Sequence, residues 1–195
     1  MTDAMGLRER KKRAAMAVLR EAAFELFARQ GFEQTSVDDI AARAEVSRAS
    51  FFRYFNAKED VLTFDDAQRR EAFAAELSRR GGEPVLAALR AAVKAHVNGM
   101  DEATKARTVE YAKLVMMGSR TLLGQAYEIR IEWLRLVETH LRTRLADRAE
   151  TDLTVPLLAD LAVSVLETAM RLVSVHPGQD FDRVVDHGFD LIDYA

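Results

Sequence analysis

The sequence predicts an all-α fold of about nine helices. Three observations carry this prediction. Apolar residues recur at the 3.6-residue spacing of amphipathic helices, and no stretch alternates with the two-residue period of a half-buried strand. Only three Pro and nine Gly occur in 195 residues, so long helices are unobstructed. A composition of 49% hydrophobic and 30% charged residues is that of a soluble globular chain long enough to bury a core. There is no internal repeat and no low-complexity tract.

The first helix is predicted over residues 7–30, where Ala15, Val18, Leu19, Ala22, Ala23, Leu26 and Phe27 share one face. Gly31 supplies a left-handed stop and Phe32 returns to the core. Ser36 can cap a second helix, with Asp39 three residues on as a carboxylate variant of the capping box. Ile40, Ala41 and Ala44 form its small apolar face, and Glu45-Val46 makes a tight turn. Ser47 then caps a third helix running through Phe55, anchored by Phe51 and Phe55 four residues apart. Ala49, Ser50 and Arg53 point away from that anchor, a small residue, a hydroxyl and a cation suited to a phosphate-lined groove.

Asn56 and Glu59 are a predicted cap and capping partner for a fourth helix, which runs to about Arg80 and ends at Gly81-Gly82. Pro84 suits the first turn of a fifth helix reaching about Gly99. A sixth spans residues 102–118, and a seventh, residues 121–147, carries Tyr127, Ile131, Trp133, Leu134, Val137 and Leu141. The eighth, residues 155–176, confines Asp160, Ser164, Glu167, Thr168 and Arg171 to one narrow stripe and is otherwise apolar. A helix exposed on one side shows a wider polar arc, so this one is expected to be covered both by its own domain and by a second molecule, the alternative being the central core helix of a monomer. The ninth helix starts near Asp180, after Pro177-Gly178, and presents Phe181, Val184, Val185, Phe189 and Ile192 as its partner face.

The segments LFARQGFEQTSVDDIA and ARAEVSRASFFRYFNAKEDVL resemble the amino-terminal signature of the TetR family of bacterial transcriptional regulators. That signature joins a Thr/Ser-led helix, an Ala-x-x-Ala-Gly-Val-Ser turn and a recognition helix with Tyr-x-His-Phe-x-x-Lys-Glu. The resemblance covers residues 26–62, and beyond them only length and helix layout agree. Three positions depart from it. Glu45 replaces a Gly at a turn position that often needs positive φ, which costs a residue with a Cβ about 1 kcal/mol. Phe52 replaces a Tyr and removes a hydroxyl that could reach phosphate, and Tyr54 replaces a His but keeps a donor.

The resemblance implies a head over residues 1–56 and a ligand-binding and dimerisation body over 57–195. Ser36, Ser47, Arg48, Ala49, Ser50, Phe52, Arg53, Tyr54 and Lys58 are the expected DNA-contacting set, with Arg48 and Ser50 nearest base edges and Lys58 on a phosphate in the first turn of the fourth helix. Leu161, Val165, Ala169, Leu172, Val185 and Phe189 are the expected dimer seam. Phe73, Val97, Met100, Tyr111, Val115, Met116, Tyr127, Trp133 and Leu134 supply the aromatic, Met and apolar surface typical of a ligand pocket, although for any one of them core packing is the commoner role. The implied partners are palindromic double-stranded DNA, a second copy of the chain and a small apolar or amphipathic effector.

Charge is consistent with this division. The net charge of −3 separates into +1 over residues 1–60, from eleven Lys/Arg and ten Asp/Glu, and −4 over the remainder, from seventeen and twenty-one. With so small a surplus, position must supply what total charge does not. Arg8, Arg10, Lys11, Lys12 and Arg13 form a basic tract beside the helix-turn-helix, and Arg43, Arg48, Arg53 and Lys58 flank its groove-facing side. Catalysis is not expected: the four His are scattered, Cys is absent, and Asp65 and Asp66 are adjacent and so diverge by about 100° on a helix. No cofactor or metal is expected. The basic, polar start does not read as a signal peptide, no charge-free apolar window of about 18 residues occurs, and a cytoplasmic location is expected. A ligand-independent regulator or an activator, and a helical small-molecule carrier retaining the head, are the alternative readings.

Overall fold

A computed structural model describes residues 6–146, 151–176 and 178–193, which form nine α-helices, one 3-10 helix and no strand. The helices are α1 Leu7–Gln30, α2 Val37–Arg43, α3 Arg48–Phe52, α4 Asp66–Arg79, α5 Val85–Asn98, α6 Glu102–Met116, α7 Arg120–Arg144, α8 Thr151–Val175 and α9 Phe181–Asp193. The 3-10 helix, Lys58–Leu62, lies between α3 and α4. The all-α expectation therefore holds. The chain divides into two compact units at Phe64/Asp65 rather than at residue 56.

That later boundary has a physical cause. Val61 and Leu62 are fully buried with the head, so the segment expected to open the fourth helix is drawn into the head core instead. The amides of Asn56 and Ala57 both donate to Asp60 Oδ2, at 2.9 and 3.1 Å, in place of the predicted Glu59 partner. The predicted helix is thus a 3-10 turn followed by α4.

In the head, Leu19, Phe27, Ile40 and Phe51 are fully buried, and Phe27–Phe32 and Phe51–Phe55 pack with ring centroids 5.1 and 5.5 Å apart. The capping box on α2 forms as predicted: the Ser36 amide and hydroxyl donate to Asp39 Oδ2, and the Asp39 amide donates back to Ser36 Oγ. Those donors hold the Asp39 carboxyl below its ordinary range. Glu45 adopts φ 55°, the left-handed conformation that its place in the turn demanded. The third helix ends at Phe52 rather than Phe55, and the Phe55 amide still donates to Phe51 O as the chain leaves it.

In the body, α8 is the central element. Val155, Ala159, Ala162, Val163, Val165 and Ala169 bury against Trp133 and Val137 of α7, Leu89 and Val93 of α5, and Val185 and Phe189 of α9. By length and composition α8 could cross a membrane, with a mean hydropathy of 1.6 over its most apolar window. Here one face of it packs on its neighbours, and Asp160 and Glu167 both pair with Arg130 of α7. The same packing corrects the predicted seam. Val165, Ala169, Val185 and Phe189 lie inside the protomer, and Leu161 and Leu172 are half-buried. The apolar residues left outside are Leu153, Leu157 and Val175 on α8 and Leu191 on α9.

A line of ion pairs docks α9 on α5: Arg90 to Asp190 at 2.6 Å, and Lys94 to Asp186 at 2.9 Å and Asp182 at 3.7 Å. On its other flank α9 meets α8 at Gly188, where a Cβ would stand 3.0 Å from a Val165 methyl. A side chain at this position would press on Val165 and require it to give way.

Candidate nucleic-acid interface and ligand cavity

The second and third helices present one cluster of exposed side chains. Ser47 accepts from the Ser50 amide at 3.1 Å and so sets the start of α3, leaving Arg48 and Ala49 on its exposed first turn. Arg48 is not a loose cation. Its guanidinium donates to Asp38 of α2 at 2.6 Å and lies 5.1 Å from the Phe52 ring centroid, one turn further along α3. Phe52 is 43% exposed and serves as a platform for Arg48. Arg53 stacks on Tyr54 at 4.8 Å and donates to its hydroxyl at 2.9 Å. Arg43, expected to flank this surface, pairs with Glu25 of α1 at 2.6 Å. The tract from Arg8 to Arg13 is exposed along the first turns of α1.

Lys58 departs from expectation. Its ammonium donates to Phe32 O at 2.7 Å and Thr35 O at 2.9 Å, approaches Glu33 O at 3.5 Å, and lies 4.2 Å from the Phe32 ring centroid. Three donors serve three carbonyls of the α1–α2 connection, so Lys58 ties that turn together instead of facing outward to a phosphate. It also sits in the 3-10 helix and not in α4, which removes the helix-terminus argument for an anion beside it.

Two hollows of the body take in residues of the expected ligand set. One, of about 370 Å³, lies among α6, α7 and α8 and is lined largely by apolar side chains, including Tyr111, Val115, Met116, Trp133, Leu166 and Met170. A second, of about 470 Å³ and more polar, is bounded by Phe73, Met100, His96 and Arg69 together with several carboxylates. Between them stands a buried polar group. Trp133 Nε1 donates to Asp66 Oδ1 at 3.1 Å, Arg70 pairs with the other oxygen of Asp66, and Arg69 donates to Thr108 Oγ1 at 3.2 Å. His96 packs edge-on to Trp133 and Phe73, at 4.8 and 5.9 Å between centroids. Burial, and then the neighbouring Arg69 charge, push its pKa down to about 3.

Residues 19–63 match the family model described as bacterial regulatory proteins, tetR family, and residues 83–194 match the MftR C-terminal domain. The HTH-type transcriptional regulator TcmR of Streptomyces glaucescens is 34% identical over 173 residues, which span 87% of this chain and 75% of the relative. The chain belongs to the TetR family. It is accordingly a transcriptional regulator and not an enzyme. Among solved structures, a TetR-family regulator from Syntrophomonas wolfei superimposes with a TM-score of 0.73 at 15% identity, over 93% of this chain and 94% of the other. The Thermus thermophilus repressor FadR, solved in complex with lauroyl-CoA, superimposes at 0.62 and 22%, over 91% and 92%. At these identities the likeness shows the fold.

In this TetR-family regulator the residues singled out for ligand binding fall in three places. Tyr111, Val115, Met116 and Trp133 line the apolar hollow, and Phe73 and Met100 line the polar one. Val97 is buried outside both linings, Leu134 packs against the core, and Tyr127 is 65% exposed. Sequence reasoning missed the contribution of α8, because Val163, Leu166 and Met170 read simply as helix-core residues. It also missed Arg130, whose partners Asp160, Ser164 and Glu167 belong to the polar stripe of α8. That stripe was the available signal: its two carboxylates on an apolar helix called for a cation opposite.

Proposed function

We propose that this TetR-family regulator is a homodimeric repressor that works in the cytoplasm, holds a palindromic operator and is released by a small apolar or amphipathic molecule. The observation that carries this reading is the pairing of an exposed recognition helix in one unit with an apolar hollow in the other. The lauroyl-CoA complex of the FadR repressor supports the ligand part by analogy of fold. Arg48 and Ser50 read base edges, and Ala49 permits close approach of the helix. Ser36, Ser47, Arg53 and Tyr54 position the head on phosphates, with Phe52 holding Arg48 in place. Lys58 is left out of this contact set. The exposed Leu153, Leu157, Val175 and Leu191 form the face that a second protomer covers. A dimer is required because one head buries only a module-sized interface, whereas two on one body gain effective concentration.

Selection of bound duplexes from random DNA by the purified protein tests the reading. A palindrome with half-sites one helical turn or a multiple apart is expected. Arg48→Ala should flatten preference at one position per half-site, where Arg–guanine recognition is worth about 1–3 kcal/mol. Recovery of unrelated duplexes, or unchanged preference in the variant, would refute it.

A further inference from the structure

The buried side-chain atoms of the body that make no hydrogen bond among the described residues include the Tyr111 hydroxyl and Arg69 Nε, the latter 3.9 Å from Asp65 Oδ1. They belong to one neighbourhood. Tyr111 lines the apolar hollow, as does Thr108 one turn earlier on α6, and the Thr108 hydroxyl receives Arg69 Nη1 at 3.2 Å. The Arg69 charge is close enough to act on the Tyr111 hydroxyl. Leaving a buried donor unsatisfied is unfavourable, so an oxygen acceptor entering here restores a lost interaction.

The other walls say what carries that oxygen. Val115, Met116, Ile129, Leu166 and Met170 offer apolar contact, and the two Met can adapt to a planar or a flexible body. The indole nitrogen of Trp133 is already engaged by Asp66, so its ring contributes only surface. The charges at this end are balanced: Arg69 and Arg70 face Asp65 and Asp66. At the α7–α8 side Arg130 is held by Asp160 and Glu167, and Arg171, the other cation of the lining, is exposed to solvent. A carboxylate brought against Tyr111 would be an additional buried anion with no cation assigned to it, which is costly. A neutral oxygen meets no such penalty. Burial pushes the Tyr111 hydroxyl well above its ordinary pKa, so it remains a donor throughout the neutral range.

We propose that the hollow among α6, α7 and α8 takes a neutral carbonyl compound with an apolar body, and that Tyr111 donates to the carbonyl oxygen. This deepens the effector reading above and rests on it for the site's purpose. The class includes ketones, quinones, esters and lactones. Free carboxylic acids fall outside it.

Titration calorimetry of the full chain with three probes of one skeleton, 9-fluorenone, fluorene and fluorene-9-carboxylate, decides the matter. Wild type should bind fluorenone roughly tenfold more tightly than fluorene, the effect of one satisfied buried donor, and bind the carboxylate least. Tyr111→Phe, which keeps the ring, should bind fluorenone and fluorene alike with fluorene affinity unchanged. Equal binding of the two neutral probes by wild type overturns the proposal without recourse to any variant. So does a preference that survives in Tyr111→Phe, tightest binding of the carboxylate, or binding of none of the three. Operator release is read in parallel. A protein that prefers fluorenone yet keeps its operator retains the carbonyl site and loses the induction reading; one released by another compound but indifferent to the carbonyl does the reverse.

Discussion

Replacement of Lys58 by Met separates two roles that a lysine beside a helix-turn-helix can have. Met keeps the stem and removes the ammonium, so the carbonyls of Phe32 and Thr35, now at 2.7 and 2.9 Å from Nζ, lose their charged donor. Each hydrogen bond from a charged group is worth about 1.5–3 kcal/mol, and the contact over the Phe32 ring adds ~0.5–1 kcal/mol. The three share one ammonium and do not add, so a loss of roughly 2–4 kcal/mol in head stability is expected. Urea unfolding followed by helical circular dichroism measures it. Operator binding measured against salt gives the complementary reading. A lysine on a phosphate contributes close to one unit to the slope of log K against log salt, and Lys58→Met should leave that slope unaltered. Arg53→Ala, at a proposed phosphate contact just past α3, should lower it. A Lys58→Met protein of unchanged stability whose slope falls by one unit per half-site would refute the assignment and restore Lys58 to the phosphate contacts.

Three further outcomes follow from the structure. Glu45→Gly relieves a left-handed conformation at φ 55° and should stabilise the head by up to about 1 kcal/mol, whereas Glu45→Val should destabilise it; a melting curve for each checks the sign. His96 is held neutral by burial, with a pKa near 3 against 6.5 in the unfolded chain, so its contribution is fully present above pH 6.5 and is lost as pH falls. Between those values stability should decline by up to about 1.4 kcal/mol per pH unit, and His96→Gln should flatten the decline between pH 7 and 5 in urea unfolding. Leu157→Asp, at a position 71% exposed, should leave the protomer folded, convert dimer to monomer in sedimentation and weaken operator binding; a dimer of unchanged affinity would place the interface elsewhere.

What the sequence disclosed was local, and what it concealed was mostly distant in the chain. The boundaries of α1, the caps at Ser36 and Ser47, the stop at Gly31 and the strained turn at Glu45 each depend on neighbours within four residues, and all were legible. The job of Lys58 was not, because its partners lie 23 to 26 residues away. The break before α4 was hidden for a related reason: Val61 and Leu62 fit a helical pattern, and only the head core makes them end it. Four of the residues expected at a dimer seam lie inside the protomer, because apolar periodicity identifies buried faces without saying what buries them. On α8 the protomer itself claims Val165 and Ala169, and the face left outside is less apolar, carrying Ser164 and Arg171 beside Leu153 and Leu157. The hollow was half legible. Its aromatic and Met lining from α6 and α7 stood out, whereas the polar group built on Asp66 and Arg69 joins three helices and has no signature in sequence.

The ladder between α5 and α9 raises a question of register that its charges alone do not answer. Asp182, Asp186 and Asp190 recur every four residues, and Arg90 and Lys94 are likewise four apart. Sliding α9 forward by one turn, about 5.4 Å, would put Asp186 opposite Arg90 and Asp182 opposite Lys94, with every cation again answered. The ion pairs are therefore nearly degenerate between two alignments, and only the hydrogen bonds from Asn98 to Asp182 would be lost. Gly188 breaks the tie. In the slipped alignment Val184 would take its place against Val165, two branched side chains in a gap that already admits no Cβ without displacement. The acidic repeat draws α9 onto the body, and one missing side chain on its opposite flank selects which of the two settings is occupied.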